Sequence, residues 1–234
     1  MDITGSTALV TGANRGIGRH FVLELLERGA QKVYATARDP RQIDLPGVEA
    51  LALDITDPAS VAAAADVARD VTLLVNNAGI STGSNLISGD LASIRAEMET
   101  HFFGTLAMVR AFAPTLRVNG GGAVVNVLSA LSWFSHDGAN AYAAAKAAAW
   151  SLTNGVRLEL AGQGTLVTGV HLGAADTDMM ADYDGPKIGP GDVARAALDG
   201  VQAGAFEVLV DDWSRGVKAS LAGDPAAFYR LPAA

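Results

Sequence analysis

The sequence predicts an α/β protein folded as one large domain, and three observations carry that expectation. A short apolar run, Thr7 to Thr11, leads at once into a glycine-rich loop and then into a segment of helical spacing. Further short apolar runs, at 32–37, 48–53, 71–75, 123–127, 165–171 and 206–210, are interleaved with helical stretches. The 234 residues, 50% hydrophobic and 18% charged, can bury a substantial core and suit one α/β domain better than two small ones.

The first strand ends in Gly12-Ala13-Asn14-Arg15-Gly16-Ile17-Gly18, and a helix over 16–28 follows, with Ile17, Phe21, Leu25 and Leu26 on one face and Gly29 as its stop. Strand, glycine loop and helix in succession are the setting in which glycines mean phosphate. They permit a tight turn and close backbone approach, while the free amides of the helix start attract a pyrophosphate. The spacing is G-x-x-x-G-x-G rather than the commoner G-x-G-x-x-G. On this segment alone, glycines that merely turn the chain are the competing reading.

Lys32 to Ala37 is the second strand, with Arg38 just past its end. In dinucleotide folds this point faces the adenosine ribose, where an acid suits a free 2′-hydroxyl and an arginine suits a 2′-phosphate. Arg38 and Arg15 therefore favour NADP(H), while the adjacent Asp39 keeps NAD(H) possible. Val48 to Leu53 is the third strand. Asp54, with Ile55 beside it, stands where a carboxylate can accept from the adenine amino group, or can simply shape the turn. Asp57-Pro58 starts the next helix. The fourth strand, 71–75, ends in Asn76-Asn77-Ala78-Gly79, small and amide residues suited to lining a cofactor crevice.

Leu91 to Val118 is a long helical stretch, and Pro114 late in it predicts a bend or break near that point. After the Asn119–Gly122 turn comes the fifth strand, and then the segment that carries the chemistry. Tyr142 and Lys146 are four residues apart in an alanine-rich helix and share a face, so the ammonium lies beside the phenol. A neighbouring cation is expected to lower the tyrosine pKa from its usual value of about 10. Ser129, at the end of the strand, can bring its hydroxyl back to the tyrosine. Together the three can give or take a proton at a carbonyl or alcohol oxygen. Trp133 and Phe134, in the loop after Ser129, are expected to wall an apolar substrate pocket, and His136 to be a surface residue. Beyond the sixth strand, the stretch from about 174 to 190, which contains Pro186, is expected to form a short lid. A helix over 191–203, the last strand and a helical tail with Trp213, Val217 and Leu221 complete the chain.

Thr11-Gly12-x-x-x-Gly16-x-Gly18, Asn76-Asn77-Ala78-Gly79, Ser129 and Tyr142-x-x-x-Lys146 occur in the order seen in the short-chain dehydrogenase/reductase family, which the sequence resembles over nearly its whole length. That resemblance implies a single Rossmann-type, doubly wound domain with a seven-stranded parallel sheet. It implies a nicotinamide cofactor, hydride exchange with a ketone, aldehyde or alcohol substrate, Tyr142 as proton donor or acceptor, and Ser129 orienting the substrate oxygen. It also implies that Asn77, Ala78 and Gly79 border the adenosine ribose, that Lys146 holds the nicotinamide ribose, and that Thr177 contacts the carboxamide or phosphates. The Arg38 position is similar to that of NADP-preferring members. A homodimer or homotetramer is implied as well.

Two positions depart from the family's pattern. His101 stands where most members have an asparagine that supports a proton path, and Leu172 replaces a proline before Gly173. His101 either stands in for the asparagine, adding a pH dependence, or is a packed histidine. The departures leave room for a cofactor-binding regulatory or scaffold protein with weak chemistry; an NAD-dependent alcohol dehydrogenase acting in the oxidative direction is a separate alternative.

The net charge of −8 and pI of about 4.9 argue against nucleic acid or an anionic membrane as partner. No cysteine is present, which removes disulfides, thiolate catalysis and Cys-ligated metal. The four histidines lie far apart and show no ligand spacing, so no catalytic metal is expected. With neither a signal-like N-terminus nor an apolar run of about 18 residues, a cytoplasmic protein is expected.

Overall fold

The computed structural model describes residues 1–230. Seven strands, β1 (Thr7–Val10), β2 (Lys32–Ala37), β3 (Glu49–Ala52), β4 (Leu73–Asn76), β5 (Ala123–Val127), β6 (Leu166–His171) and β7 (Glu207–Leu209), form one sheet in the order β3-β2-β1-β4-β5-β6-β7. Every pairing is parallel. Parallel neighbours require long crossovers, and helices supply them. These are α1 (Gly16–Glu27), α2 (Pro58–Val67), α3 (Leu91–Met98), α4 (Thr105–Val118), α5 (Asn140–Leu160) and α6 (Pro190–Gln202), followed by α7 (Asp212–Ser220) and α8 (Pro225–Tyr229).

Helices on both faces explain why the central strands read as unbroken apolar runs. Along β1 the side chains alternate between two cores: Ala8 and Val10 pack with Phe21 and Leu25 of α1 and Val193 and Leu198 of α6, whereas Leu9 packs with Phe112 of α4 and Val156 of α5. Phe21 and Phe112 have no exposed surface, and truncating either to alanine is worth about 3–5 kcal/mol. A smaller polar ladder runs through the second core. Asn76 Nδ2 donates to Asn126 Oδ1 (2.8 Å), Asn126 Nδ2 to Thr153 Oγ1 (2.9 Å), and Thr153 Oγ1 to the Ala149 carbonyl (2.7 Å), tying β4 and β5 to α5.

The strand order reverses direction between β1 and β4, so the loops that leave their carboxyl ends part and open a crevice there. Thr11 holds that crevice together: its Oγ1 accepts from the backbone amides of Asn77 and Ala78, both at 2.9 Å. Asn77 Nδ2 returns bonds to the carbonyls of Thr11 (2.9 Å) and Gly12 (3.2 Å).

The long helical stretch is interrupted, but not at Pro114. α4 runs continuously through that proline; Arg110, four residues earlier, is exposed, so water can take the carbonyl that Pro114 leaves without a donor. The interruption is a π-helical turn over Glu99–Gly104. The extra residue of a π turn rotates the helix beyond it, and such turns are frequent at functional sites. Here it joins α3 to α4 with His101 buried and facing α5. α8 has no counterpart among the expected elements. It packs Phe228 edge-on against Phe134 and accepts a bond from Ser135 N at Tyr229 Oη (3.0 Å).

Candidate active site

A continuous cleft of about 1440 Å³ follows the carboxyl ends of the strands, larger than the roughly 300–1,000 Å³ typical of a single small-molecule site. It brings together the glycine loop (Gly12, Asn14, Arg15, Gly16, Ile17), the ends of β2 and β3 (Arg38, Asp54, Ile55), the β4 loop (Asn77, Ala78, Gly79) and Ser129, Tyr142, Lys146, His101 and Thr177.

The glycine-loop end fits a dinucleotide. Gly12 and Gly16 adopt φ of +65° and +53°, a region that favours glycine, and a β-carbon on Gly12 would lie 3.0 Å from Ala78 Cα. No side chain caps the start of α1, which leaves its first amides for a ligand in the cleft. Gly18, expected to contact the cofactor, is buried and lies outside the cleft wall. A β-carbon there would strike the Gly12 carbonyl, so its place is to let α1 approach the loop closely. Arg15 pairs with Asp178 at 3.1 Å. Asp39 is held by Arg41 through Nε and Nη2 at 2.9 and 3.0 Å, which draws its carboxyl well below the usual range. Arg38 has no hydrogen bond or ion pair among the described residues and lines the cleft.

At the other end stand the hydroxyl groups. Ser129 caps a short turn, its Oγ accepting from Leu131 N (3.1 Å), so the hydroxyl proton is left for another acceptor. Its position is fixed from behind by His171, whose burial lowers its pKa to about 4; the neutral ring's Nδ1 donates to the Ser129 carbonyl at 3.0 Å. Trp133, expected in the substrate wall, instead stacks on His171 with centroids 3.8 Å apart and meets Trp150 edge-on. It is absent from the cleft lining, because the turn capped by Ser129 carries the indole back into the protein. Phe134 does line the cleft, together with Leu131, Met179, Tyr183 and Trp213. His136 lines it too, at an exposed loop position.

Lys146 Nζ donates to the Val127 carbonyl at 2.8 Å and lies 5.5 Å from the Tyr142 ring centre. The expected lowering of the phenol pKa is not what the protein alone provides. Burial pushes Tyr142 up, the Glu97 carboxylate pushes it further, and only the Ser129 hydroxyl acts downward. Burial also lowers Lys146 to about 8 from 10.5, against the pull of Glu97. Desolvation penalises both charged forms, so the half-buried phenol and the buried ammonium are drawn toward their neutral states. The His101 ring meets Tyr142 edge-on at 5.1 Å and bonds the Ile80 carbonyl through Nε2 at 2.8 Å. Glu97 and His171 are the site residues that sequence reasoning missed. The four-residue spacing of Glu97 and His101 was visible, but nothing in it showed that the acid is buried, and no local pattern marked His171.

No helix among the described residues is long and apolar enough to cross a membrane, and none of their side chains form a cluster of three or more metal ligands.

Comparison with known proteins agrees with this geometry. Residues 6–187 match the family model described as short chain dehydrogenase. A short chain dehydrogenase from Burkholderia cenocepacia, solved in complex with NADP, superposes with a TM-score of 0.95 at 41% identity, covering 100% of both chains. An uncharacterized oxidoreductase of Staphylococcus saprophyticus is 29% identical over 219 residues, 86% of this chain and 93% of its own. The NADPH-dependent 1-acyldihydroxyacetone phosphate reductase of Schizosaccharomyces pombe is 34% identical over 182 residues, 74% of this chain and 61% of its own. The parallel sheet, the glycine-loop crevice and the family match together establish that this chain belongs to the short-chain dehydrogenase/reductase family of oxidoreductases.

Proposed function

We propose that the protein is an NADP(H)-dependent carbonyl reductase, acting on a ketone or aldehyde or, in reverse, on the alcohol. The observation that carries this is the opening of Ser129, Tyr142 and Lys146 onto one cleft with the uncapped start of α1. A bound nicotinamide cofactor would supply or accept the hydride. The glycine loop, Asn77–Gly79, Thr177 and Lys146 are the residues placed to hold it, with Asp54 and Ile55 near the adenine. The unpaired Arg38, and an Asp39 occupied by Arg41, support the 2′-phosphate form, as does the NADP in the Burkholderia cenocepacia relative.

Tyr142 Oη donates its proton to the carbonyl oxygen in reduction, and its raised pKa keeps that proton in place at neutral pH. The Ser129 hydroxyl, its lone pair engaged by Leu131 N, donates to the same oxygen and orients it. Lys146, charged below about pH 8, stabilises negative charge developing on the phenol. The substrate's other end meets Leu131, Phe134, Met179, Tyr183 and Trp213, which suits an uncharged carbonyl compound carrying an apolar or aryl group. Residues 174–190, which supply Met179 and Tyr183, act as the short lid. Val118 of α4 and Leu158 of α5, each 80% exposed, are the surface on which we place a homo-oligomeric contact.

The test is turnover of aryl and alkyl ketones followed by NADPH absorbance, with NADH as comparison. Tyr142→Phe should lose at least about 10² in rate, the scale of general acid catalysis, while binding NADPH normally. A loss below tenfold removes Tyr142 from this role.

A further inference from the structure

Glu97 is the only fully buried acid among the described residues, with 0% of its surface exposed. Carboxylates are almost never placed this way unless paired, because desolvation costs several kcal/mol. Its pairing is incomplete. Oε1 accepts from Thr82 N at 2.6 Å, but Oε2 has no donor, lying 3.3 Å from His101 Nε2 without hydrogen-bond alignment. The His101 proton on Nε2 is directed instead at the Ile80 carbonyl, which leaves Nδ1 as the ring's acceptor in the neutral form.

The groups around this carboxylate are those of the proposed site. His101, four residues on, is carried inward by the π turn and abuts the Tyr142 ring. From α5 come Tyr142 and Lys146; the 80–82 loop contributes the Thr82 amide and the Ile80 carbonyl. A glutamine would serve Thr82 N equally well, so hydrogen bonding by itself gives no reason for a charge. What a carboxylate adds is a negative potential inside a low-dielectric pocket that also holds an ammonium.

We propose that Glu97 is the counter-charge of the site: a positioning residue whose buried carboxylate, behind His101, keeps Lys146 protonated beside Tyr142. The directions of the shifts agree, since Glu97 raises Lys146, Tyr142 and His101 alike, against burial in the two bases. The proposal rests on the Ser129–Tyr142–Lys146 reading and extends it to a residue that touches neither substrate nor cofactor.

The experiment is the pH profile of kcat/KM for the full-length enzyme and Glu97→Gln, in reduction and in oxidation. Removing the negative charge lowers the pKa of both Lys146 and Tyr142. The falling limb in reduction and the rising limb in oxidation should therefore both move to lower pH, by about one unit, the scale on which a neighbouring charge shifts a buried group. A rate loss with limbs unmoved is the signature of a merely structural role and overturns the proposal. If Glu97→Gln does not fold, the Glu97→Gln/Lys146→Met double variant decides: recovery of folding supports charge pairing, and continued failure refutes it. Loss of activity in Tyr142→Phe with unmoved limbs in Glu97→Gln defeats this inference alone, whereas an active Tyr142→Phe defeats the reading beneath it.

Discussion

Lys146 makes a measurable prediction about stability as well as chemistry. Its side chain is 5% exposed and its pKa falls to about 8 from 10.5, so at neutral pH the folded protein carries a charge that burial disfavours. Each unit is worth about 1.4 kcal/mol, so at pH 7 the charged lysine costs about 3 kcal/mol relative to a neutral side chain of its shape. Lys146→Met removes that cost and forfeits the bond to the Val127 carbonyl, worth about 1 kcal/mol. The expected result is an inactive protein that is about 2 kcal/mol more stable at pH 7. The sign of the pH dependence follows from the depressed pKa. Between about 8 and 10.5 the unfolded chain binds the proton that the folded one has released, so wild-type stability gains with rising pH relative to the variant. The advantage of Lys146→Met should shrink by about 2 kcal/mol between pH 7 and pH 10. Urea denaturation of both proteins across that range measures it, and groups not coupled to Lys146 cancel in the difference. A difference that stays constant with pH refutes the burial of a charged lysine.

Two further substitutions separate neighbouring roles. Arg38→Ala should raise the KM for NADPH by about 10- to 100-fold, the worth of one lost bond to a charged group, and leave NADH unchanged; equal effects on both cofactors would remove Arg38 from the 2′-phosphate. Trp213→Ala, on the cleft wall and 56% exposed, should leave the melting temperature nearly unchanged and reduce the aryl-over-alkyl preference in kcat/KM by about tenfold. Trp133→Ala, stacked on His171, should do the reverse, costing about 3 kcal/mol in denaturation with the substrate preference intact.

All seven strands, the glycine loop and the Ser129, Tyr142 and Lys146 positions were legible in the chain, for one physical reason. A central strand buried on both faces needs an unbroken apolar run, with the more exposed β3 and β7 continuing the pattern at the sheet edges; a phosphate turn needs glycines at fixed offsets, and residues four apart on a helix must share a face. These are local requirements, written in consecutive residues. What burial does to a group was not legible, because burial is the sum of elements distant in sequence. Spacing placed an ammonium beside a phenol and suggested a lowered tyrosine pKa; only the packed pocket, with Glu97 from α3 behind it, turned that shift upward. In the same way Trp133 follows Ser129 in the chain and Trp213 lies in the C-terminal tail, yet tertiary packing sent the first behind Ser129 and the second to the cleft. Proline chemistry pointed to a break at Pro114, whereas the helix opened at Glu99–Gly104, next to α5, and carried His101 inward.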